Sequence, residues 1–334
     1  MTTVLELKEK IMRFYGKNEV YVKPVIKFTV AFLLFLIISL NIGYMKSISR
    51  TPIALILALL CSVLPVGGTI LLASVFILAN LYALSMEVCL VGLILLLMIY
   101  FLYFRFAPKN GYDILLTPIC FKLGIPYLMP VGMGLVREAY SIFAFICGTV
   151  LYFFLNGVKE NEAVLSEVAD AKEAGTSKIV VALNQLLGNK EMYLVLGVMA
   201  ATLIIVYIIR RMSIENAWSV AIISGILFEA VGLVAGYMLL GISGKTIGVL
   251  VGSAISGILA LTMQFLFFNL DYSRTERLQF EDDEYYYYVK AVPKALVAGS
   301  DKQIKRFGGR EVRADRLTKK QFAREMDIDE DLLD

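Results

Sequence analysis

The chain has 334 residues, 58% of them hydrophobic, with a mean hydropathy of +0.73 and a formal net charge of +3. Long apolar runs place it in the membrane class and exclude a small soluble domain. The small net charge gives no basis for nucleic-acid binding. There is no histidine, which removes the usual proton shuttle, the commonest metal ligand, the Ser–His and Cys–His nucleophile pairs and the HExxH zinc site.

No paired intramembrane aspartates form a carboxylate dyad, so the expectation is a protein that is not an enzyme, with no catalytic residue, metal or cofactor. Cys61, Cys89, Cys120 and Cys147 each lie in an apolar run and form no metal-spaced pair; they read as small buried hydrophobes. From Asp271 onward there are 13 Lys/Arg and 15 Asp/Glu, nearly half of all charges. That shift divides the chain into a basic amphipathic segment (1–24), a transmembrane domain (25–270) and a charged tail (271–334).

Taken in order, residues 1–24 carry Lys8, Lys10, Arg13, Lys17 and Lys23, a basic stretch expected to lie as a short helix at an anionic inner surface. No cleavable signal peptide is expected. The first span is Val25 to about Tyr44. Residues 52–84 then form two short apolar pieces interrupted by Pro65-Val-Gly-Gly68. An ordinary span, Cys89–Phe106, follows. A second interrupted segment leads from Asp113 through Gly124-Ile-Pro126 to Pro130-Val-Gly132-Met-Gly134. Leu64–Gly68 and Met129–Met133 resemble each other, and paired interruptions mark binding sites in transporters built from repeats.

The next span is Ala139–Val158. The 159–190 loop is polar. Val164, Leu165 and Val168 share one helix face, as do Ile179, Leu183, Leu186 and Leu187, which predicts two amphipathic surface helices. Three more spans follow, at Tyr193–Ile209, Trp218–Leu240 and Thr246–Asn269.

The fold class is thus an all-α polytopic membrane protein with six full transmembrane helices plus two Pro/Gly-broken segments, up to ten crossings. The positive-inside rule places both termini in the cytoplasm and the 159–190 loop outside. If the broken segments are re-entrant, the first dips in from outside and the second from inside. In the tail, Gln279–Pro293 is β-prone after an acidic cluster. The remainder has too few large aliphatics for a core of its own, so a short α/β or partly disordered tail is expected.

Glu229, central in the Trp218–Leu240 span, is the sharpest candidate. A charge at mid-bilayer costs ~2.5–3.5 kcal/mol on insertion scales, so it must be paired, protonated or facing water, either as an ion- or proton-coupling site or ligand for a cationic substrate, or as a polar clamp to another helix. Arg137 and Lys122 are conceivable partners. Pro65, Gly67, Gly68, Pro130, Gly132 and Gly134 would supply unwound backbone whose carbonyls and half-helix ends hold ions or polar solutes, or else kinks for close packing. Gly244, Gly248, Gly252, Ser256 and Ala260 fall every four residues on one face, a stripe for close helix packing within the chain or across a homo-oligomer. Asn41 and Asn80 read as glue between helices. Gly244-Lys-Thr246 lacks the first P-loop glycine, since position 239 is Leu, and it opens a membrane helix; it is not a nucleotide site. The run Tyr285–Tyr288 reads as a half-buried strand or interfacial belt.

The stretch Thr275-Glu-Arg-Leu-Gln-Phe-Glu-Asp-Asp-Glu-Tyr-Tyr-Tyr-Tyr-Val-Lys-Ala-Val-Pro-Lys294, with the general layout, resembles uncharacterised multi-span membrane proteins of Gram-positive anaerobic bacteria. The resemblance implies the bacterial cell (inner) membrane and carries no activity with it. Two readings follow. One is a small transporter or permease that binds an ion or solute where the broken segments meet the Glu229 helix. The other is a membrane scaffold or complex subunit that recruits a cytoplasmic protein through its tail.

Overall fold

The computed structural model describes residues 2–166, 173–212, 214, 216–267, 276–281 and 285–291. The helices are α1 (Thr2–Lys17), α2 (Glu19–Ile42), α3 (Thr51–Val63), α4 (Val66–Leu84), α5 (Met86–Phe106), α6 (Gly111–Lys122), α7 (Leu128–Val136), α8 (Ser141–Glu160), α9 (Glu162–Ser166), α10 (Glu173–Leu187), α11 (Lys190–Arg211), α12 (Ala217–Leu239) and α13 (Thr246–Phe267). Strands β1 (Glu276–Glu281) and β2 (Tyr286–Ala291) pair antiparallel, Gln279 opposite Tyr288. The rest of the tail, and Val168, lie outside the described residues.

Among the described residues, seven stretches are long and apolar enough to cross a membrane: 19–42, 66–84, 86–106, 141–160, 178–211, 217–239 and 246–267. The chain is an all-α polytopic membrane protein. Its helices turn large aliphatic side chains outward, as on α5, where Leu90, Leu93, Ile94, Leu97, Met98 and Phe101 are all exposed. In water such a surface would drive association; in lipid it is the ordinary outer face.

Seven rather than six long helices arise because the first interruption is sharper than the sequence implies. Only Leu64 and Pro65 separate α3 from α4, and Pro65 is the N-cap of α4 (φ −65°, ψ 158°) with Gly67 and Gly68 in its first turn. Proline is tolerated at a helix start because the N–H it lacks would have no intrahelical partner there. So these residues begin a full-length helix. Pro130, Gly132 and Gly134 likewise lie inside α7, Pro130 in its first turn. The expectation that these positions supply unwound backbone is corrected. The irregular backbone lies earlier, at Leu123–Tyr127, where Gly124 adopts φ +75°.

Polar contacts fix which helix ends lie together. Lys122 donates to Asn41 (2.7 Å) and Lys159 to the Leu40 carbonyl (3.3 Å), while Asn80 accepts from Ser49 Oγ (2.7 Å) and Met45 N (3.2 Å). These define a distal end, remote from the start of α2. At the proximal end Lys27 donates to the Leu64 carbonyl (3.3 Å).

Glycines set the close crossings. On α12, Gly225, Gly232 and Gly236 face Val206, Val198 and Leu194 of α11 in turn, so side chains of α11 seat in gaps along α12. The α8 backbone meets α6 at Gly148, beside Thr117 and the Ile114 carbonyl. Pro118 lacks the N–H that would bond that carbonyl within the helix. The distal helix α10 buries Ala182 and Leu186, whereas Leu183 and Leu187 are exposed. Its packed face is thus offset from the predicted one.

A Cβ at Gly148 would lie 2.6 Å from Thr117 Cβ and 2.9 Å from the Ile114 carbonyl oxygen. Gly148→Val is therefore expected to cost about 1–3 kcal/mol by overpacking, read as a lower melting temperature in detergent. Gly197→Ala, with no neighbour within 4 Å, is expected to be neutral or slightly stabilising.

Candidate functional site

The site is built by a hairpin that stops short. At 1.5 Å per residue, α6 is about 18 Å long and α7 about 13 Å, against roughly 30 Å for a hydrocarbon core. Both free ends of the pair lie at the proximal end. There Arg137, which follows α7, forms a 3.3 Å ion pair with Asp113 in the first turn of α6. Arg210, in the last turn of α11, donates to the carbonyls of Leu135 and Arg137, satisfying acceptors that the end of α7 leaves unbonded. Glu138 accepts from the Tyr207 hydroxyl (3.3 Å). The hairpin is anchored at its base.

At its tip, Phe121 stacks on Tyr152 of α8 with ring centroids 4.6 Å apart. Helix α8 continues eight residues further, to Glu160, which is about 12 Å. The space above the tip is a cavity of about 450 Å³. Its base is the hairpin turn, with Phe121, Gly124, Pro126 and Tyr127. Its walls are the last turns of α8 (Tyr152, Asn156, Glu160), the start of α11 (Asn189, Glu191, Val195, Met199), the end of α12 (Leu233, Tyr237) and the start of α13 (Lys245, Gly248, Val249). Gly244 and Gly248 also line it and touch nothing within 4 Å at the Cβ position.

The distal rim is polar. Lys245 Nζ donates to both carboxylate oxygens of Glu191 (2.6 and 2.8 Å), and the Tyr237 hydroxyl donates to Glu191 Oε1 (3.1 Å). This ties the 3-10 turn Ser243–Lys245 to the start of α11. Asn189 caps α11, accepting from Met192 N at 3.0 Å, a favoured N-cap arrangement. Glu160 accepts from Asn156 (2.7 Å) and Gln185 (3.4 Å).

Glu229 lies under this cavity. Gly225, Glu229, Leu233 and Tyr237 form one i, i+4 row on α12. Tyr237 and Leu233 line the cavity, while Gly225 packs on Val206. Glu229 is the turn between, 0% exposed, and neither carboxylate oxygen has a hydrogen-bond partner. Tyr127, in the cavity base, lies within electrostatic range of both Glu229 and Glu191.

The other expected residues fall in different places. Arg137 pairs with Asp113 and Lys122 with Asn41; neither partners Glu229, and that expectation is corrected. Pro65, Gly67 and Gly68 sit at the proximal α3–α4 junction, packed on Leu64 and Phe104, while α12 packs on α11, α13 and α7. Pro130 and Gly132 belong to α7, and Gly132 meets Met263 of α13. The stripe divides. Gly244 and Gly248 line the cavity, Gly252 admits the Tyr127 ring, and Ser256 and Ala260 are buried. Asp113, Glu191 and Lys245 were not singled out as site residues. The first could be found only by noticing that an acid opens a short apolar segment, and Glu191–Lys245 is a pairing across 54 residues. Among the described residues no group of three metal-type side chains (His, Cys, Asp, Glu) assembles.

Removing Arg137 leaves the Asp113 carboxylate, buried to 5% exposure, without its countercharge. Because the Arg137 side chain is 38% exposed, Arg137→Ala is expected to cost about 1–3 kcal/mol rather than the full buried-pair penalty. Asp113→Asn in the same chain should recover at least half of that loss. A double-mutant cycle on detergent unfolding checks it; strict additivity would refute the pairing.

Comparison of the chain with protein-family models, curated proteins and solved structures finds no match, so the site is interpreted from its geometry.

Proposed function

We propose that the chain is a small transporter or permease of the bacterial inner membrane, with both termini cytoplasmic. The observation that carries this reading is the 450 Å³ cavity lying over a fully buried acid that has no partner. An ionised group in that position is costly unless it meets a countercharge or a proton, and intramembrane acids of this kind mark ion and proton pathways. The tail's resemblance to membrane proteins of Gram-positive anaerobes supports the bacterial membrane.

In this orientation the seven long helices cross, the 13-residue α3 and its flanking turns return the chain from distal Ser49 to proximal Leu64, and α6–α7 is re-entrant from the cytoplasm. The cavity is then an outward-open vestibule at the hairpin tip. Arg105, Lys109, Arg137, Arg210 and Arg211 fall on the cytoplasmic side, as the positive-inside rule requires. The Asp113–Arg137 pair is the cytoplasmic closure beneath the site. The vestibule, part aromatic and part polar, suits a small solute with both kinds of surface. No catalytic role is assigned.

The β1–β2 hairpin favours a second reading, a scaffold or complex subunit. It exposes Tyr285, Tyr286, Tyr287 and Val289, and an isolated two-stranded hairpin is marginal in water. A cytoplasmic protein partner would cover that surface.

Uptake into proteoliposomes, with a thermal-shift screen of small solutes, separates the readings. A solute at 100 times its Kd adds ~2.7 kcal/mol of stability. Glu229→Gln is expected to abolish both solute-dependent shift and uptake while leaving baseline stability equal or higher. Truncation after residue 295 is expected to leave uptake intact. Normal uptake by Glu229→Gln together with loss of function on truncation would establish the scaffold instead.

A further inference from the structure

Glu229 is not the only unsatisfied group at its level. The pairs Ser219–Gln264, hydrogen-bonded at 2.8 Å, and Ile226–Gly257, in close contact, give α12 and α13 one antiparallel register. That register sets Ser253 opposite the residue after Glu229, and Ser256 opposite Leu227. Both serines are buried, 3% and 1% exposed, and both hydroxyls lack hydrogen-bond partners. Four buried oxygens, two carboxylate and two hydroxyl, therefore lie at one level of the α12–α13 pair with no hydrogen-bond partner. Buried polar groups are normally paired, and leaving one unpaired is costly. Four together mark a place where something else supplies the partners. The nearby Thr202 hydroxyl, by contrast, is already engaged with the Val198 carbonyl (2.9 Å).

We infer that Glu229, Ser253 and Ser256 form a binding site for one monovalent hard cation of the Na⁺ class. The donor set is oxygen only, which selects hard ions over transition metals. It holds a single carboxylate, so one positive charge neutralises it. The basic residues first expected near Glu229 are engaged elsewhere, Arg137 with Asp113 and Lys122 with Asn41. A divalent ion would ask for more carboxylates or for retained water. Entry is from the vestibule. Leu233, one turn distal of Glu229, and Val249, one turn distal of Ser253, both line its wall. The inference rests on the transporter reading, of which it names the coupling ion.

The test is the melting temperature of the purified protein in detergent, with Na⁺, K⁺ and choline chlorides exchanged at constant ionic strength and pH. A saturable stabilisation by Na⁺ over choline is expected, absent in Glu229→Gln. The double variant Ser253→Ala, Ser256→Ala is expected to raise the half-saturating Na⁺ concentration at least tenfold. Removing two unpaired hydroxyls should leave its melting temperature in choline unchanged or higher, which separates lost binding from lost folding. Equal behaviour in all three salts overturns the inference, as does a Na⁺ shift that survives in Glu229→Gln. Stability that follows pH alone, with no preference among cations, overturns it too and makes Glu229 a proton site. Solute binding in the vestibule without any Na⁺ response defeats the ion site alone. A Na⁺ response without any solute binding or uptake supports the ion site and defeats the transporter reading.

Discussion

In a hydrocarbon environment no water is at hand to bond a peptide group, so every N–H and C=O must find its partner inside the protein. That constraint shapes this chain more than any single contact. It turns nearly all of the apolar sequence into helix, and it restricts irregular backbone to places wrapped by protein or open to water. Leu123–Tyr127 meets the condition at the tip of the α6–α7 hairpin. The Leu123 amide donates to the Ile119 carbonyl, Gly124 to Phe121 and Ile125 to Cys120. Around the turn stand α8, α12 and α13, and above it lies the cavity. The short hairpin and the hollow over it are one feature seen from two sides, since a longer pair of helices would fill the space.

Much of the architecture was legible in hydropathy alone. The six full spans are all present as helices, because an apolar run of about 20 residues in lipid has few alternatives. The interruptions were harder. Proline and glycine announce a break but not its position. Pro65 is the N-cap of α4 and Pro130 sits in the first turn of α7, where the ring costs little, while the φ +75° at Gly124 does the turning. The tail could be read only in part, and most of it lies outside the described residues.

The site divides in the same way. Glu229 stood out because a carboxylate in the middle of a 23-residue apolar helix has no ordinary explanation. Its surroundings did not stand out. Whether Arg137 or Lys122 reached it depended on tertiary distances, and both found nearer partners. Ser253 and Ser256 look unremarkable in sequence, since small hydroxyl residues are common at membrane helix interfaces. Only the helix register and their unbonded oxygens set them apart. The stripe on α13 was visible as a period of four, yet its two ends do different jobs. One end widens a cavity and the other lets helices approach.

The glycine seam on α12 has a mechanical consequence. Gly225, Gly232 and Gly236 receive Val206, Val198 and Leu194, three interlocks over three turns, so α12 cannot rotate or slide against α11 without losing all three. The two helices are one stiff lever. The joint that leaves the lever toward α13 is visible in the backbone as Gly241 at φ +72°, whereas Asn216 at φ 56° lies within it, in the α11–α12 connection. Any displacement of Glu229 must therefore swing both helices together, pivoting near Gly241 and shearing along α7 and α13.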